Sequence, residues 1–177
     1  DAAIVRWLDA SAPEPEPLTA FTAAASPDGV ATAAAVLSDG RVRLVRRTVE
    51  ENEFTGEVDE TTTSHHFDPG FAPAMLLLDS EQRTLYGADT NGRLGRWLLD
   101  DGAPDEGITV GTGHGAITAL SLLIGDRSLV VGHQDGTLSI WFDVRAEDGI
   151  RSLKQIRSFT LGSSPVRHIA PSLRDKG

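Results

Sequence analysis

The chain of 177 residues contains no cysteine, which excludes disulfides, thiolate metal sites and a cysteine nucleophile. The redox compartment stays open, because many exported proteins do without disulfides. Positive charge is scarce: 16 basic residues stand against 26 acidic ones, and such an excess repels nucleic acid and anionic membrane surfaces before contact. Nucleic acid is not an expected partner. No apolar run is long, the best being 31–37 and 116–124, against roughly 20 residues needed to cross a bilayer. No segment is therefore expected to insert directly into a membrane. There is no initiating methionine and no charged-then-apolar leader, and Asp1-Ala2-Ala3-Ile4-Val5-Arg6-Trp7 already has the pattern of a strand, so the chain is expected to be part of something longer. Helix signals are nearly absent too. The run from Ala31 to Val36 has helical propensity, but it is short and two glycine turns bound it.

What is present is a repeat. A short apolar run, a polar turn, a second apolar run, a tight turn and an alternating strand recur three times in that order. The first copy has Leu18-Thr19-Ala20-Phe21, the turn Ser26-Pro27-Asp28-Gly29, the run Val30 to Leu37, the corner Asp39-Gly40 and the strand Arg41 to Val45. The second has Ala74 to Leu78, Thr84 to Ala88, the corner Asn91-Gly92 and Arg93 to Trp97. The third has Ile117 to Leu120, Ser128 to Gly132, the corner Asp135-Gly136 and Thr137 to Trp141. Asp-Gly and Asn-Gly are strong hairpin signals, and they predict type I′ turns with positive φ at both central residues. The strands ending at Trp7, Val45, Trp97 and Trp141 are 38, 52 and 44 residues apart, scattered about the roughly 40 to 45 of four-stranded propeller blades.

A fourth, outer strand is expected in each unit at Thr62 to Phe67, at Ile108-Thr109-Val110 and at Gln155 to Phe159. The long middle interval follows from the polar stretch between Val45 and Ala74, which contains Glu50-Glu51-Asn52-Glu53 and lengthens the outer part of its blade or its loop. The predicted fold is all-β: a β-propeller fragment of about three four-stranded antiparallel blades with partial blades at both ends. Its parts are the end of a preceding blade over 1–17, blades over 18–67, 74–110 and 117–159, and the start of a further blade over 164–177, with a strand at Val166 to Ala170. Three blades are too few for a ring of four to eight, and the open edges are expected to pair with another copy or with the rest of the parent chain.

In the third copy, Gly113-His114, Ile117-Thr118-Ala119-Leu120 and Asp135-Gly136-Thr137-Leu138-Ser139-Ile140-Trp141 resemble the WD-repeat family. The resemblance implies a network in which a His before the inner strand, a hydroxyl in the second strand, an Asp in the tight turn and a Trp in the third strand are linked. His114, Asp135 and Trp141 match. The hydroxyl position falls on Val131, so the network is expected to be broken there; the second copy retains Asn91 and Trp97, the first only Asp39. A narrower resemblance lies in Leu138-Ser139-Ile140-Trp141-Phe142-Asp143-Val144-Arg145, Ile156-Arg157-Ser158-Phe159 and Ser164-Pro165-Val166-Arg167-His168-Ile169-Ala170-Pro171, which look like the extracytoplasmic insertion of some bacterial phosphate ABC-transporter permease subunits. It implies a periplasmic domain of an inner-membrane protein whose translocation path lies in other segments.

No constellation of residues makes a strong case for chemistry. His65-His66 with Asp68 has the residue types of a zinc or nickel site, but neighbours on a strand point to opposite faces. His114, Ser121 and Asp126 could nominally form a nucleophilic triad, yet no serine sits in an elbow motif. Gly111-Thr112-Gly113-His114-Gly115 resembles a phosphate loop only superficially, since it leads into a strand and not a helix N-terminus. Arg41, Arg43, Arg46 and Arg47 form the one basic cluster and the low-ranked anion candidate; exposed charges that guard a strand edge are the preferred reading. Glu14-Pro15-Glu16 and Glu50-Glu51 read as solvated loops, and residues 11–17 as a stiff, proline-rich connector.

The expectation is a non-catalytic interaction or sensing module without cofactor or metal, contacting other proteins or the remainder of a transporter. Asp39, Gly40, Asn91, Gly92, Trp97, His114, Asp135, Gly136 and Trp141 are its structural residues. The alternatives are a small-anion (phosphate) receptor and, ranked lower, a propeller-scaffold enzyme. The latter would need ionisable residues where the inner strands start, and those starts are Leu18, Ala74, Ile117 and Val166.

Overall fold

The computed structural model describes residues 17–52, 54–100, 102–145, 147 and 149–172. Among the described residues there are twelve strands and no helix. The first sheet comprises β1 (Ala20–Ala25), β2 (Val30–Val36), β3 (Val42–Glu51) and β4 (Val58–Phe67). The second comprises β5 (Met75–Leu78), β6 (Thr84–Ala88), β7 (Arg93–Asp100) and β8 (Ala103–Gly111), and the third β9 (Ile117–Leu122), β10 (Ser128–His133), β11 (Thr137–Arg145) and β12 (Arg151–Thr160). Each sheet is ordered as its strands follow in sequence. Connections this short leave no room for a parallel crossover, so neighbours run antiparallel. The chain thus forms three four-stranded antiparallel blades, and Gly40, Gly92 and Gly136 each stand between the second and third strands of a different one.

Those three corners share a geometry that differs from the predicted type I′ turn. Gly40 N donates to Leu37 O at 3.0 Å, Gly92 N to Asp89 O at 3.4 Å and Gly136 N to His133 O at 3.3 Å. Only the glycines have positive φ, between 81° and 86°; Asp39, Asn91 and Asp135 do not. This is a three-residue loop, in which a turn is followed by a left-handed glycine that bulges into the ladder.

Two compact units partition the chain, one drawn from 1–85 with 97–106 and the other from 86–96 with 107–177. In the first, alternate residues of β2 and β3 feed opposite faces. Ala34, Val36, Val42 and Leu44 pack with Leu76, Leu78, Leu85, Trp97 and Leu99, while Ala33, Ala35 and Val45 form a second cluster with Leu18 and Ala23. Burial on both faces explains why β2 is apolar at every position but Thr32, and why its alanines are strand despite their helical propensity. Leu44 and Leu85 are wholly buried, each contributing about 1.5–3 kcal/mol. Trp97 anchors this core between Phe67 and Phe71, with ring centroids 5.5 and 5.9 Å away.

In the second unit Val166 lies directly on Gly132, where an added Cβ would come within 2.7 Å of Val166 Cγ1. Val166 N donates to His133 O at 3.1 Å and Thr118 Oγ1 to Val166 O at 2.7 Å. The strand expected at Val166 to Ala170 does not form; this segment is tied down by isolated bonds without a ladder. The fourth strands exist and are longer than expected, β4 and β12 having ten residues each. The polar stretch after Val45 becomes a ladder in which Glu50 faces Asp59 and Glu51 faces Val58. The blade end expected over 1–17 lies outside the described residues except for Pro17, as do 173–177 of the expected last blade.

Candidate functional site

A connected set of buried polar groups belongs to the third blade. β10 and β11 pair Leu129 with Trp141 and Val131 with Ser139. Residues opposite one another in a ladder share a face, as do residues two apart on a strand, so Val131, Ser139 and Trp141 face the same way. Trp141 Nε1 donates to Ser139 Oγ at 2.8 Å, and Ser139 Oγ shares a 2.7 Å hydrogen bond with His133 Nε2. The His133 ring lies 4.9 Å from that of His114, whose Nδ1 is 3.6 Å from Asp135 Oδ2. The expected break at Val131 is therefore corrected: the hydroxyl comes from Ser139, its partner across the ladder, and His133 intervenes before His114.

The electrostatics of this chain of groups follow from burial. His133 is wholly buried, and burial, with His114 beside it, drives its pKa down to about 4 against a smaller opposing pull from Asp135. Its Nδ1 has no hydrogen-bond partner among the described residues, so a second proton would be held without an acceptor. Asp135 is kept below the usual carboxylate range, chiefly by the Thr137 N–H that its Oδ1 accepts at 2.8 Å.

Each blade has such a carboxylate at its tight turn. Asp39 accepts from Arg41 N at 2.9 Å and from Arg41 Nε at 2.6 Å, and its pKa is lowered by those bonds. In the second blade the acceptor is Asp89, which takes Asn91 N at 2.9 Å, Arg93 N at 2.8 Å and Arg93 Nε at 2.6 Å. Burial works to raise the Asp89 pKa, but the bonds from Arg93 and Asn91 outweigh it and hold the group low. Asn91 is thus a donor to the turn carboxylate, which sits two residues earlier than the repeat pattern suggested.

Gly92 and Gly136 seat the loops that follow their blades. Thr112 N and Oγ1 both donate to Gly92 O, at 2.9 and 3.1 Å, and Leu161 N donates to Gly136 O at 3.0 Å. A Cβ at Gly92 would come within 2.4 Å of Gly115 O, and one at Gly136 within 2.3 Å of Gly162 O. The Gly111–Gly115 stretch is accordingly a loop packed against the corner of its own blade.

The four arginines of the basic cluster do not converge. Alternation on β3 sets Arg43 and Arg47 on one face and Arg46 on the other. Arg41 is paired with Asp39. Arg43 is buried and its Nε donates to Ser64 Oγ at 3.3 Å. Arg47 forms an ion pair with Glu60 through both Nε and Nη2; the hydrogen bonds raise the arginine's pKa and lower the glutamate's. Arg46 turns toward an open cleft of about 920 Å³ that also includes Gln82, Leu99 and Asp100.

A second buried charge cluster had no sequence signal. Arg96, 1% exposed, reaches Asp143 Oδ2 through Nη2 at 2.7 Å, and Arg151 Nη1 reaches the same oxygen at 2.7 Å. Two guanidiniums share one carboxylate, while Arg96 Nε and Nη1 and Asp143 Oδ1 have no hydrogen-bond partner among the described residues. The other candidates stay apart. His65 is half-buried and His66 exposed on β4, Asp68 Oδ1 caps Gly70 N at 2.8 Å, and no group of three metal-ligating side chains occurs among the described residues. Ser121 pairs in register with Val130, Asp126 holds a turn at φ 54°, and His114 is engaged with His133 and Asp135.

No protein-family model matches the chain, and no curated protein matches it in sequence. Its fold is similar to solved WD40 structures. Against Sqt1 of Chaetomium thermophilum the TM-score is 0.54 at 14% identity, covering 81% of this chain and 36% of that one. Against the RRP9 WD40 repeats it is 0.53 at 12% identity, covering 85% and 40%. Against a chain of the mitotic checkpoint complex it is 0.50 at 17% identity, again covering 85% and 40%. The chain therefore spans about two fifths of the length of these structures, and at such identities the likeness establishes the WD40 propeller fold alone.

Proposed function

We propose that this chain is a non-catalytic protein-contacting module, the periplasmic propeller domain of a bacterial phosphate ABC-transporter permease. The observation that carries the contacting role is a series of apolar side chains left in solvent on the outer part of the third blade: Ile150 at 66% exposure, Ile156 at 46%, Phe159 at 45% and Leu161 at 65%. Apolar groups held out on a rigid sheet mark a surface for another macromolecule. A structurally similar chain stands in a checkpoint complex, a further instance of this fold within a protein assembly. The transporter assignment is supported by the resemblance of 138–145, 156–159 and 164–171 to the permease insertion.

The small-anion receptor is the second reading, and the buried Arg96 and half-buried Arg151 around a single Asp143 favour it more than the β3 arginines do. Calorimetric titration with phosphate separates the two. The proposal expects no heat at millimolar phosphate; saturable heat that disappears in Arg96→Met would transfer the function to anion binding.

A further inference from the structure

The acid excess is distributed unevenly. Residues 50–60 contain six of the 26 acidic residues and no basic one, whereas 149–172 contain four basic residues and no acidic one. The first segment runs into β4 and the second contains β12, the outermost strands of the first and third blades. Among the described residues each is bonded along one edge only, β4 to β3 and β12 to β11. At ten residues they are long beside the usual 5–6, and neither contains proline or glycine. β8, the outer strand of the second blade, instead carries Pro104, Asp105, Glu106 and Gly107, the residue types that blunt an edge. The edges of β4 and β12 are left open as templates for another strand.

Their side chains are complementary. The pairing of β2 with β3 ends at Val30 and Thr48, so the β3–β4 ribbon beyond it projects as two strands. On that ribbon Glu50 directly faces Asp59, both exposed and neither in an ion pair among the described residues. Like charges so opposed cost stability unless a cation comes between them. On β12 residues 154–160 are all exposed, the cations Lys154 and Arg157 and the apolar Ile156 and Phe159 among them.

We propose that copies of this chain associate head to tail by edge-strand pairing, the acidic β4 edge of one copy lying along the basic β12 edge of the next. The two surfaces differ, so the contact is heterologous and can propagate. Pairing β12 with β12 would oppose like charges, since Arg151, Lys154 and Arg157 are the only charged residues on that strand. The inference rests on the fold and its charges and not on the transporter reading, so either can fail alone.

Sedimentation velocity of the 177-residue chain across the micromolar range tests it. Reversible association that weakens with salt is expected. Lys154→Glu/Arg157→Glu and Glu50→Lys/Asp59→Lys should each weaken it about tenfold or more, and mixing the two variants should restore it, because each then offers the edge the other has lost. All four positions are exposed, so the far-UV circular dichroism should not change; if a variant unfolds, Lys154→Gln/Arg157→Gln replaces it and should weaken association in the same direction. A monomeric wild type, association indifferent to the reversals, or mixing without recovery would overturn the proposal. So would a monomer that binds anionic vesicles through Lys154 and Arg157, which would assign the basic edge to lipid.

Discussion

Ser139 stands directly across the β10–β11 ladder from Val131, and its hydroxyl joins Trp141 to His133. Removing it leaves an indole N–H and an imidazole nitrogen buried without a shared partner. Ser139→Ala should therefore cost about 2–4 kcal/mol in urea unfolding, whereas Val131→Ala loses only packing. A Ser139→Ala variant within about 0.5 kcal/mol of wild type would show that the relay is not a stabilising unit.

His133 makes stability depend on pH in a definite direction. Its folded pKa of about 4 lies below the ordinary 6.5, so between these values the unfolded chain binds the extra proton. Stability from this site is complete above pH 6.5 and falls as pH drops toward 4, by about 3 kcal/mol in all. Unfolding midpoints measured at several pH values should follow that slope, and His133→Gln should flatten it. A slope unchanged in the variant would assign the effect to other groups.

The corner glycines should differ from other left-handed glycines. Gly92→Ala and Gly136→Ala combine a positive φ with a Cβ less than 2.5 Å from a carbonyl oxygen, and each should cost about 3 kcal/mol or more. Gly113 has φ 79° but open space around it, so Gly113→Ala should cost about 1–2 kcal/mol. Equal losses at all three positions would remove the seating role of the corners.

Asp143→Asn should be among the most damaging conservative changes, because it leaves Arg96 and Arg151 as two guanidiniums with no counter-charge at their shared oxygen. A loss of about 3 kcal/mol or more is expected by denaturation. The double change Arg96→Met/Asp143→Leu should recover much of it, since an apolar pair of similar size avoids the desolvation of both charges. No recovery would mean that the charges themselves are required.

The architecture was legible because Asp39-Gly40, Asn91-Gly92 and Asp135-Gly136 punctuate apolar runs at a blade-like period, and a glycine corner between two strands can be read locally. The turn subtype was not, since a shift of one residue in where pairing begins converts a two-residue loop into a three-residue one, and composition is the same for both. Ser139 was missed because matching repeats column by column assumes that a hydroxyl must stay on its strand, while a ladder offers the facing strand at the same point in space. A Ser two residues before a strand Trp was the available signal. Asp89 was overlooked for the related reason that Asn91 occupied its expected column. Arg96 and Asp143 meet from strands of different sheets, and no local pattern records such a meeting. Val166 to Ala170 had a strand's pattern, yet a strand also requires a neighbour to pair with.

The absence of cysteine allows the proposed role to be tested directly. A single cysteine at Glu81, whose side chain is 73% exposed, would be placed in the full-length parent protein stripped of any cysteines of its own and treated with a membrane-impermeant maleimide in intact spheroplasts. For a periplasmic domain, labelling is expected before lysis, at the extent seen after it. Labelling that appears only once the membrane is broken would contradict a periplasmic domain, and with it the assignment to the transporter.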